Sequence, residues 1–210
     1  MQHQNTSPSN LMMAPQYKLL IVWDLDDTVF DTEHALVNWI NEKYNAQYVW
    51  GNRLGRKGVE GERLMDALED AFFMRDGKLC PGWEKFPEWL RFMEFAYPEV
   101  GHIFVTHRGY HKRGMEYTLD NFQKHGIVLE GVALDPDVHP DKEAWLKTQT
   151  DLPFLLFDDR PHWSNGNAGS DNVVLVNRPW NSELQGYRRA ETFADVQKMT
   201  CDYIVSKVGY

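Results

Sequence analysis

Short apolar runs that end at acidic residues are the strongest constraint on how this chain folds. The run LLIVW stops directly before Asp24, and the run FLLF stops directly before Asp158. Short runs without polar interruptions are typical of strands covered on both faces, as in parallel sheets. The sequence therefore predicts about five buried parallel strands, at 18–23, 102–106, 131–134, 154–157 and 172–176.

Helical patterns separate several of these runs. Between the second and third strands, Met115, Leu119 and Phe122 recur at helical spacing and predict a helix at 112–124. A short helix is predicted at 142–150, and a last helix with a packing role at 190–208. Alternation of strands and helices is typical of βαβ units, so the predicted fold class is α/β with a parallel sheet.

The stretch from 34 to 80 differs from the rest because it contains no convincing strand. Helices are predicted at 34–44 and 60–74, with a glycine-punctuated loop between them, and a helix at 83–95 is expected to pack back on the sheet. The predicted organisation is a flexible segment at 1–16, a core at 17–33 and 81–210, and a small helical cap at 34–80.

Composition limits the partners and the location. The net charge of −9 argues against a protein that grips long nucleic acid through its phosphates, although a small anionic substrate stays possible. No apolar run approaches the roughly 18 residues that a membrane span needs, and residues 1–16 lack the features of a secretory signal. Cys80 and Cys201 lie far apart and are expected to be reduced thiols, so a cytoplasmic location is expected. Nothing in the sequence indicates the oligomeric state.

Acidic residues follow two of the predicted strands at the same end. Asp24 and Asp26 follow the first strand, and Asp158 and Asp159 follow the fourth. The carboxyl ends of parallel strands face one crevice of an open α/β sheet, so these carboxylates are expected to meet. Clustered carboxylates repel one another unless a cation joins them, and oxygen ligands favour Mg²⁺. Asp24 is the candidate nucleophile and Asp26 the candidate acid or base, while the alternative is a plain acidic turn at a strand end.

Four motifs in a fixed order carry a family resemblance. DLDDT at 24–28, Thr106, Lys142 and the acidic pair at 158–159 resemble the motifs of the haloacid dehalogenase (HAD) superfamily of phosphatases. The resemblance implies a Rossmann-like core and Mg²⁺-dependent hydrolysis of a phosphomonoester through an aspartyl-phosphate. It covers the core, about 17–33 and 99–178, but not the cap.

The resemblance also implies a role for each residue. Asp24 would carry the phosphoryl group, and Asp26 would protonate the leaving group and then activate water. Thr106 would donate a hydrogen bond to a phosphoryl oxygen, and Lys142 would neutralise negative charge. The Mg²⁺ ligands would be the Asp24 carboxylate, the Asp26 backbone carbonyl and one carboxylate of Asp158 or Asp159.

A narrower resemblance concerns the substrate. LLFDDRPHW and NRPWN, with the short spacing from Lys142 to Asp158, resemble the 5′(3′)-deoxyribonucleotidase branch, which implies a nucleoside monophosphate as substrate. Lys112 and Lys124 remain alternatives to Lys142. IFVTHRGYHKRG also resembles the 3′-phosphatase portion of polynucleotide repair enzymes, and other small phosphorylated metabolites stay open. The alternative from another class is a non-catalytic phosphate-binding or regulatory module that kept the fold.

Several residues near these motifs have two interpretations. Arg108 either contacts a second charged group of the substrate or forms a salt bridge at the surface. Three aromatic residues either stack on a nucleobase or pack within the cap, namely Trp50, Phe30 and Tyr48. A basic cluster either attracts a phosphate or only solubilises a loop, and it consists of Arg53, Arg56 and Lys57.

Overall fold

Six parallel strands form the centre of the computed structural model, which describes residues 17–52, 54–160 and 170–209. The strands are β1 (Leu19–Trp23), β2 (Val100–Thr106), β3 (Glu130–Ala133), β4 (Phe154–Asp158), β5 (Val173–Val176) and β6 (Arg188–Ala190). Their order in the sheet is β3-β2-β1-β4-β5-β6, and every neighbouring pair is parallel. The predicted α/β fold is confirmed, whereas the segment predicted to be flexible at 1–16 lies outside the described residues.

Within the described residues, seven α-helices accompany this sheet. They are α1 (Thr32–Tyr44), α2 (Gly58–Asp70), α3 (Phe72–Asp76), α4 (Phe86–Ala96), α5 (Gly114–His125), α6 (Lys142–Gln149) and α7 (Phe193–Val208). None of the described helices combines the length and the apolar character that crossing a bilayer requires.

β1 lies inside the sheet between β2 and β4, and all five of its residues are apolar and buried. Alternate side chains enter two different clusters, as the pleat of a strand requires. Trp23 and its same-face neighbours pack with α4 and α7, while Leu20 and Val22 pack with Trp145 and Leu146 of α6. Burial on both faces explains why the run contains no polar residue.

The sheet has one strand more than predicted. β6 has the sequence RRA, and its two arginines are only partly buried. An edge strand needs few apolar positions, so β6 lacks the continuous apolar run that identified the other strands. The helix predicted from 190 also begins later, at Phe193, because a capping box of Thr192 and Asp195 starts it there.

The prediction of a single helix at 60–74 is wrong, because one helix ends before Ala71 and another begins after it. The φ angle of Ala71 is 53°, in the left-handed region, which ends α2 and lets α3 start at the next residue. This conformation costs a non-glycine residue about 1–2 kcal/mol. Burial offsets the cost, since Ala71, Phe73 and Met74 form an apolar cluster with Tyr117 of α5.

Helices α1 to α3 follow β1 and precede α4 in the chain, where the cap was predicted. Their apolar cluster reaches the core helix α5 through Tyr117. The helix α1 begins at Thr32, inside the segment that was assigned to the core. The cap boundaries at 34 and 80 therefore remain a proposal.

Candidate active site

The carboxyl ends of β1 and β4 bring three carboxylates together. The two strands are hydrogen-bonded neighbours, and the Asp24 N–H extends their ladder by donating to the Phe157 carbonyl at 2.9 Å. Asp24, Asp158 and Asp159 are buried, and each offers an oxygen to a group whose oxygens lie within 4.8 Å of one another. The Thr28 hydroxyl donates to Asp24 Oδ2 at 3.3 Å. The meeting of acids expected from the strand ends is present at this edge of the sheet.

Lys142 lies between two of these carboxylates. It is the first residue of α6, and its side chain is almost wholly buried. Its Nζ donates to Asp24 Oδ1 at 2.5 Å and to Asp158 Oδ2 at 2.7 Å. Of the alternative lysines, Lys112 is exposed and Lys124 pairs with the carboxylate at the end of α3. The structure therefore brings Lys142, and neither alternative, to the acids.

Burial makes the negative charge of this cluster costly. Burial raises the pKa of Asp24 to about 8, with Asp158 adding to the effect and the Lys142 ammonium opposing it. Burial alone would lower the pKa of Lys142, but Asp158 and Asp24 raise it above its ordinary value. One buried ammonium lies among three buried carboxylates, with the Arg160 guanidinium close enough for Asp159 to raise its pKa, and a bound cation would lower the cost of the buried negative charge.

Asp26 has a different set of partners. Its Oδ1 accepts hydrogen bonds from Arg108 Nη2 at 2.8 Å and from the Thr32 hydroxyl at 2.7 Å. Burial alone would raise the pKa of Asp26, but the Arg108 guanidinium lowers it below its usual value. The Arg108 side chain has 0% exposure, so the interpretation as a surface salt bridge is wrong. Arg108 instead forms a part-buried ion pair with the candidate acid or base, whose side chain is 27% exposed.

Thr106 ends β2 on the other side of β1 from Asp158. Its side chain is wholly buried, and its hydroxyl has no hydrogen-bond partner within the described residues. A buried hydroxyl without a partner costs about 1–3 kcal/mol. The position therefore favours an acceptor atom that arrives with a ligand.

The loop after β5 supports the site through residues whose roles were not predicted. Arg178 Nε donates to the Asp27 carbonyl at 2.6 Å and holds the turn that follows Asp26, where Asp27 has a φ of 60°. Trp180 Nε1 donates to Asp159 Oδ2 at 2.7 Å, and Asn181 Nδ2 donates to the Asp159 carbonyl at 2.8 Å. The segment NRPWN follows a buried strand at the same sheet edge, and that position was the available signal.

Phe30, Trp50 and Tyr48, which were expected either to stack on a nucleobase or to pack within the cap, have different surroundings. Phe30 is wholly buried against Phe122, so it packs in the core and cannot stack on a base. The Trp50 ring is 36% exposed, with one face stacked on His34 at 4.4 Å. The Tyr48 hydroxyl accepts a hydrogen bond from Arg63 at 3.3 Å.

A cavity of about 140 Å³ is lined by residues of both the predicted cap and the core. Asp27, Glu33 and Arg160 line it from the predicted core, and Arg56 belongs to the predicted cap. Arg53 of the predicted basic cluster lies outside the described residues. Four leucines complete the lining, namely Leu36, Leu54, Leu64 and Leu68.

Comparison with known proteins identifies the fold. No protein-family model and no curated protein matches the chain. The chain is similar to a HAD family hydrolase from Deinococcus radiodurans R1, solved with bound phosphate and sodium, with a TM-score of 0.51 and 14% identity over 89% of this chain and 96% of that one. It is also similar to a HAD-superfamily hydrolase of subfamily IA, variant 1, from Geobacter sulfurreducens PCA, with a TM-score of 0.48 and 13% identity over 88% and 96% of the two chains. At these identities the likeness concerns the fold, so the chain has the α/β fold of a HAD family hydrolase.

Proposed function

We propose that this protein is a Mg²⁺-dependent phosphomonoester hydrolase that forms an aspartyl-phosphate on Asp24. The observation that carries the proposal is the buried cluster in which the Lys142 Nζ contacts both Asp24 and Asp158, with Asp159 beside them. A structural acidic turn gives no reason to bury three carboxylates around one ammonium, because burying charged groups is costly.

The donor set fits Mg²⁺. Carboxylate oxygens are the hard ligands that this ion prefers, and three of them lie within 4.8 Å of one another. The Asp24 carboxylate, the Asp26 carbonyl and one carboxylate of Asp158 or Asp159 would hold the ion. When bound, a divalent cation suppresses the repulsion between an attacking carboxylate and a phosphate dianion.

In the first half of the reaction, an Asp24 carboxylate oxygen attacks phosphorus and the bond from phosphorus to the leaving oxygen breaks. Asp26 gives its proton to that oxygen, which departs as an alcohol. The Thr106 hydroxyl, which has no partner within the described residues, donates to a phosphoryl oxygen. Lys142 keeps its proton, because its carboxylate neighbours raise its pKa, and balances charge on Asp24 and the phosphoryl group.

In the second half, water attacks the phosphorus of the aspartyl-phosphate. Asp26 takes a proton from this water, and the bond from Asp24 to phosphorus breaks to release inorganic phosphate. Both carboxyl groups return to their starting states. Asp26 begins this step as a base because it gave up its proton in the first half; Arg108, which lowers the pKa of Asp26, favours this charged form and opposes the protonated form that the first half requires.

The proposed substrate is a small phosphorylated metabolite, with a nucleoside monophosphate as the specific candidate. The cavity shared by cap and core supports a small leaving group, because leucines provide an apolar wall and Arg56 and Arg160 place positive charge beside the acids Asp27 and Glu33. The Trp50 ring supports an aromatic leaving group, because it contacts Trp180, whose indole N–H binds Asp159.

Phosphate release from a panel of mononucleotides and sugar phosphates tests the proposal, with the full chain assayed in Mg²⁺ and in EDTA. We expect Mg²⁺-dependent release that is fastest with a mononucleotide, and we expect Asp24→Asn to abolish turnover while circular dichroism stays unchanged. No Mg²⁺-dependent release from any ester, or near-normal turnover by Asp24→Asn, would contradict the mechanism. Preference for a 3′-phosphorylated oligonucleotide over mononucleotides would instead support the end-repair alternative.

A further inference from the structure

Arg108 is a buried guanidinium two residues beyond Thr106. It lies in the short 3₁₀ turn Arg108–Tyr110, which follows β2, and its side chain has no exposed surface. Taking a guanidinium out of water costs several kcal/mol unless good partners replace the water. The identity of those partners therefore indicates what the residue does.

One edge of the Arg108 guanidinium donates its hydrogen bonds to Asp26. Arg108 Nε lies 3.1 Å from Asp26 Oδ1 and 3.2 Å from Oδ2, and Nη2 lies 2.8 Å from Oδ1. Two N–H groups on one planar edge fix the plane of a carboxylate as well as its position, which a lysine ammonium cannot do.

The opposite side of the guanidinium is held by the protein core. Arg108 Nη1 donates to the Thr118 hydroxyl at 3.1 Å and to the Met74 carbonyl at 3.4 Å. The Thr118 hydroxyl in turn donates to the Gly114 carbonyl at 2.7 Å. A Cβ at Gly114 would lie 2.0 Å from the Arg108 carbonyl oxygen, so a glycine is required for α5 to start against this turn.

Thr32 completes the arrangement around Asp26. Its hydroxyl donates to Asp26 Oδ1 at 2.7 Å from the start of α1, whereas Arg108 approaches from the turn after β2. Two elements that are distant in the chain thus hold one carboxylate. The N–H groups of Arg108 that form these bonds are directed at Asp26, Thr118 and Met74, and the side chain offers no exposed surface to a substrate.

We propose that Arg108 is a positioning residue that orients the Asp26 carboxyl group for proton transfer to the leaving oxygen. This replaces the expectation of a direct contact with the substrate, and it rests on the proposed function, in which Asp26 is the acid. A loss of orientation lowers kcat/KM only for esters whose leaving group needs a proton, because an activated leaving group departs as an anion and the later step, in which Asp26 activates water, does not enter kcat/KM.

The test compares kcat/KM of wild type and Arg108→Met on two esters in Mg²⁺. Ethyl phosphate has a leaving group that needs protonation, and dinitrophenyl phosphate has one that does not. We expect Arg108→Met to lose about 10²-fold on ethyl phosphate and less than about 3-fold on dinitrophenyl phosphate, since general acid catalysis is worth about 10²–10⁴-fold. Equal losses on the two esters would show a merely structural role and overturn the inference.

Thr32→Val provides a second measurement should Arg108→Met fail to fold, because it removes the other hydrogen bond to Asp26 and leaves no buried charge behind. It should lose about 10-fold more on ethyl phosphate than on dinitrophenyl phosphate, and an equal loss would count against the inference. Arg113→Met is the matched control, since this guanidinium is exposed and pairs with Glu116, and it should leave the ratio unchanged. Wild-type protein that releases phosphate from neither ester and from no mononucleotide would overturn the proposed function and the inference with it, whereas a wild type that is active on both esters isolates the role of Arg108.

Discussion

Between about pH 7 and pH 5 the protein loses free energy of unfolding, and replacing His102 by phenylalanine should make this loss smaller by about 2 kcal/mol. His102 lies on β2 and is 7% exposed, and neither ring nitrogen has a hydrogen-bond partner within the described residues. The imidazole stacks on Trp23 at 6.1 Å and meets the edge of Trp89 at 6.3 Å, so the site suits an uncharged ring.

The magnitude follows from the pKa of His102 in the two states. Burial lowers the pKa of folded His102 to about 3, while an exposed histidine in the unfolded chain titrates near about 6.5. Below about pH 6.5 the unfolded state binds a proton that the folded state does not, so acid favours unfolding by about 1.4 kcal/mol per pH unit. Between about pH 7 and pH 5 the contribution of His102 falls by about 2 kcal/mol.

Urea unfolding of wild type and His102→Phe at about pH 7 and pH 5 measures this difference. Other titrating groups occur in both proteins and cancel in the comparison. His111→Phe is a suitable control, because His111 also stacks on an aromatic ring, that of Tyr117, but is only partly buried. An equal loss of free energy of unfolding by His102→Phe and wild type over this pH interval would refute the lowered pKa of folded His102.

Two further substitutions separate stability from function. Lys142→Met should lower kcat by at least about 10²-fold and the free energy of unfolding by about 3–5 kcal/mol, because Asp24 and Asp158 would be left buried without their shared cation. Phosphate release measures the first effect and urea unfolding the second. An unchanged free energy of unfolding would contradict the buried pairing. Thr106→Val should lower kcat/KM by about 10-fold or more. It should leave the free energy of unfolding unchanged or raise it by about 1 kcal/mol, because the hydroxyl it removes is buried without a partner within the described residues. A fall in the free energy of unfolding would show that the hydroxyl has a structural role.

The strands that carry the site could be predicted because their sequences are locally decisive. β1 and β4 are apolar throughout, and the acids follow where each run ends, so the convergence of Asp24 and Asp158 required only a parallel sheet. The edge strand β6 could not be predicted in this way, because a strand exposed on one side needs no apolar run. The break at Ala71 was equally hidden, because a positive φ at alanine has no local signal and depends on burial against Tyr117.

Partners of the site residues were harder to predict than the residues themselves. Arg108 and Asp26 are 82 positions apart, and Arg178 and Asp27 are 151 positions apart. Spacing along the chain cannot identify such pairs, because each depends on where two loops meet after the sheet has formed. The pattern THR therefore allowed either a substrate contact or a surface ion pair for Arg108, and neither describes the contact of its fully buried guanidinium with Asp26.

Departures from local rules do not locate a site by themselves. Ala71 has a left-handed backbone and His102 is a buried polar ring, yet the contacts described for them are with apolar and aromatic side chains. At the carboxyl edge of β1 the charged departures are coupled, because each charged side chain that is costly to bury contacts one of opposite charge. A buried ammonium contacts buried carboxylates, and a buried guanidinium holds Asp26. Removing one member leaves the other uncompensated, which distinguishes this coupled arrangement from isolated strain.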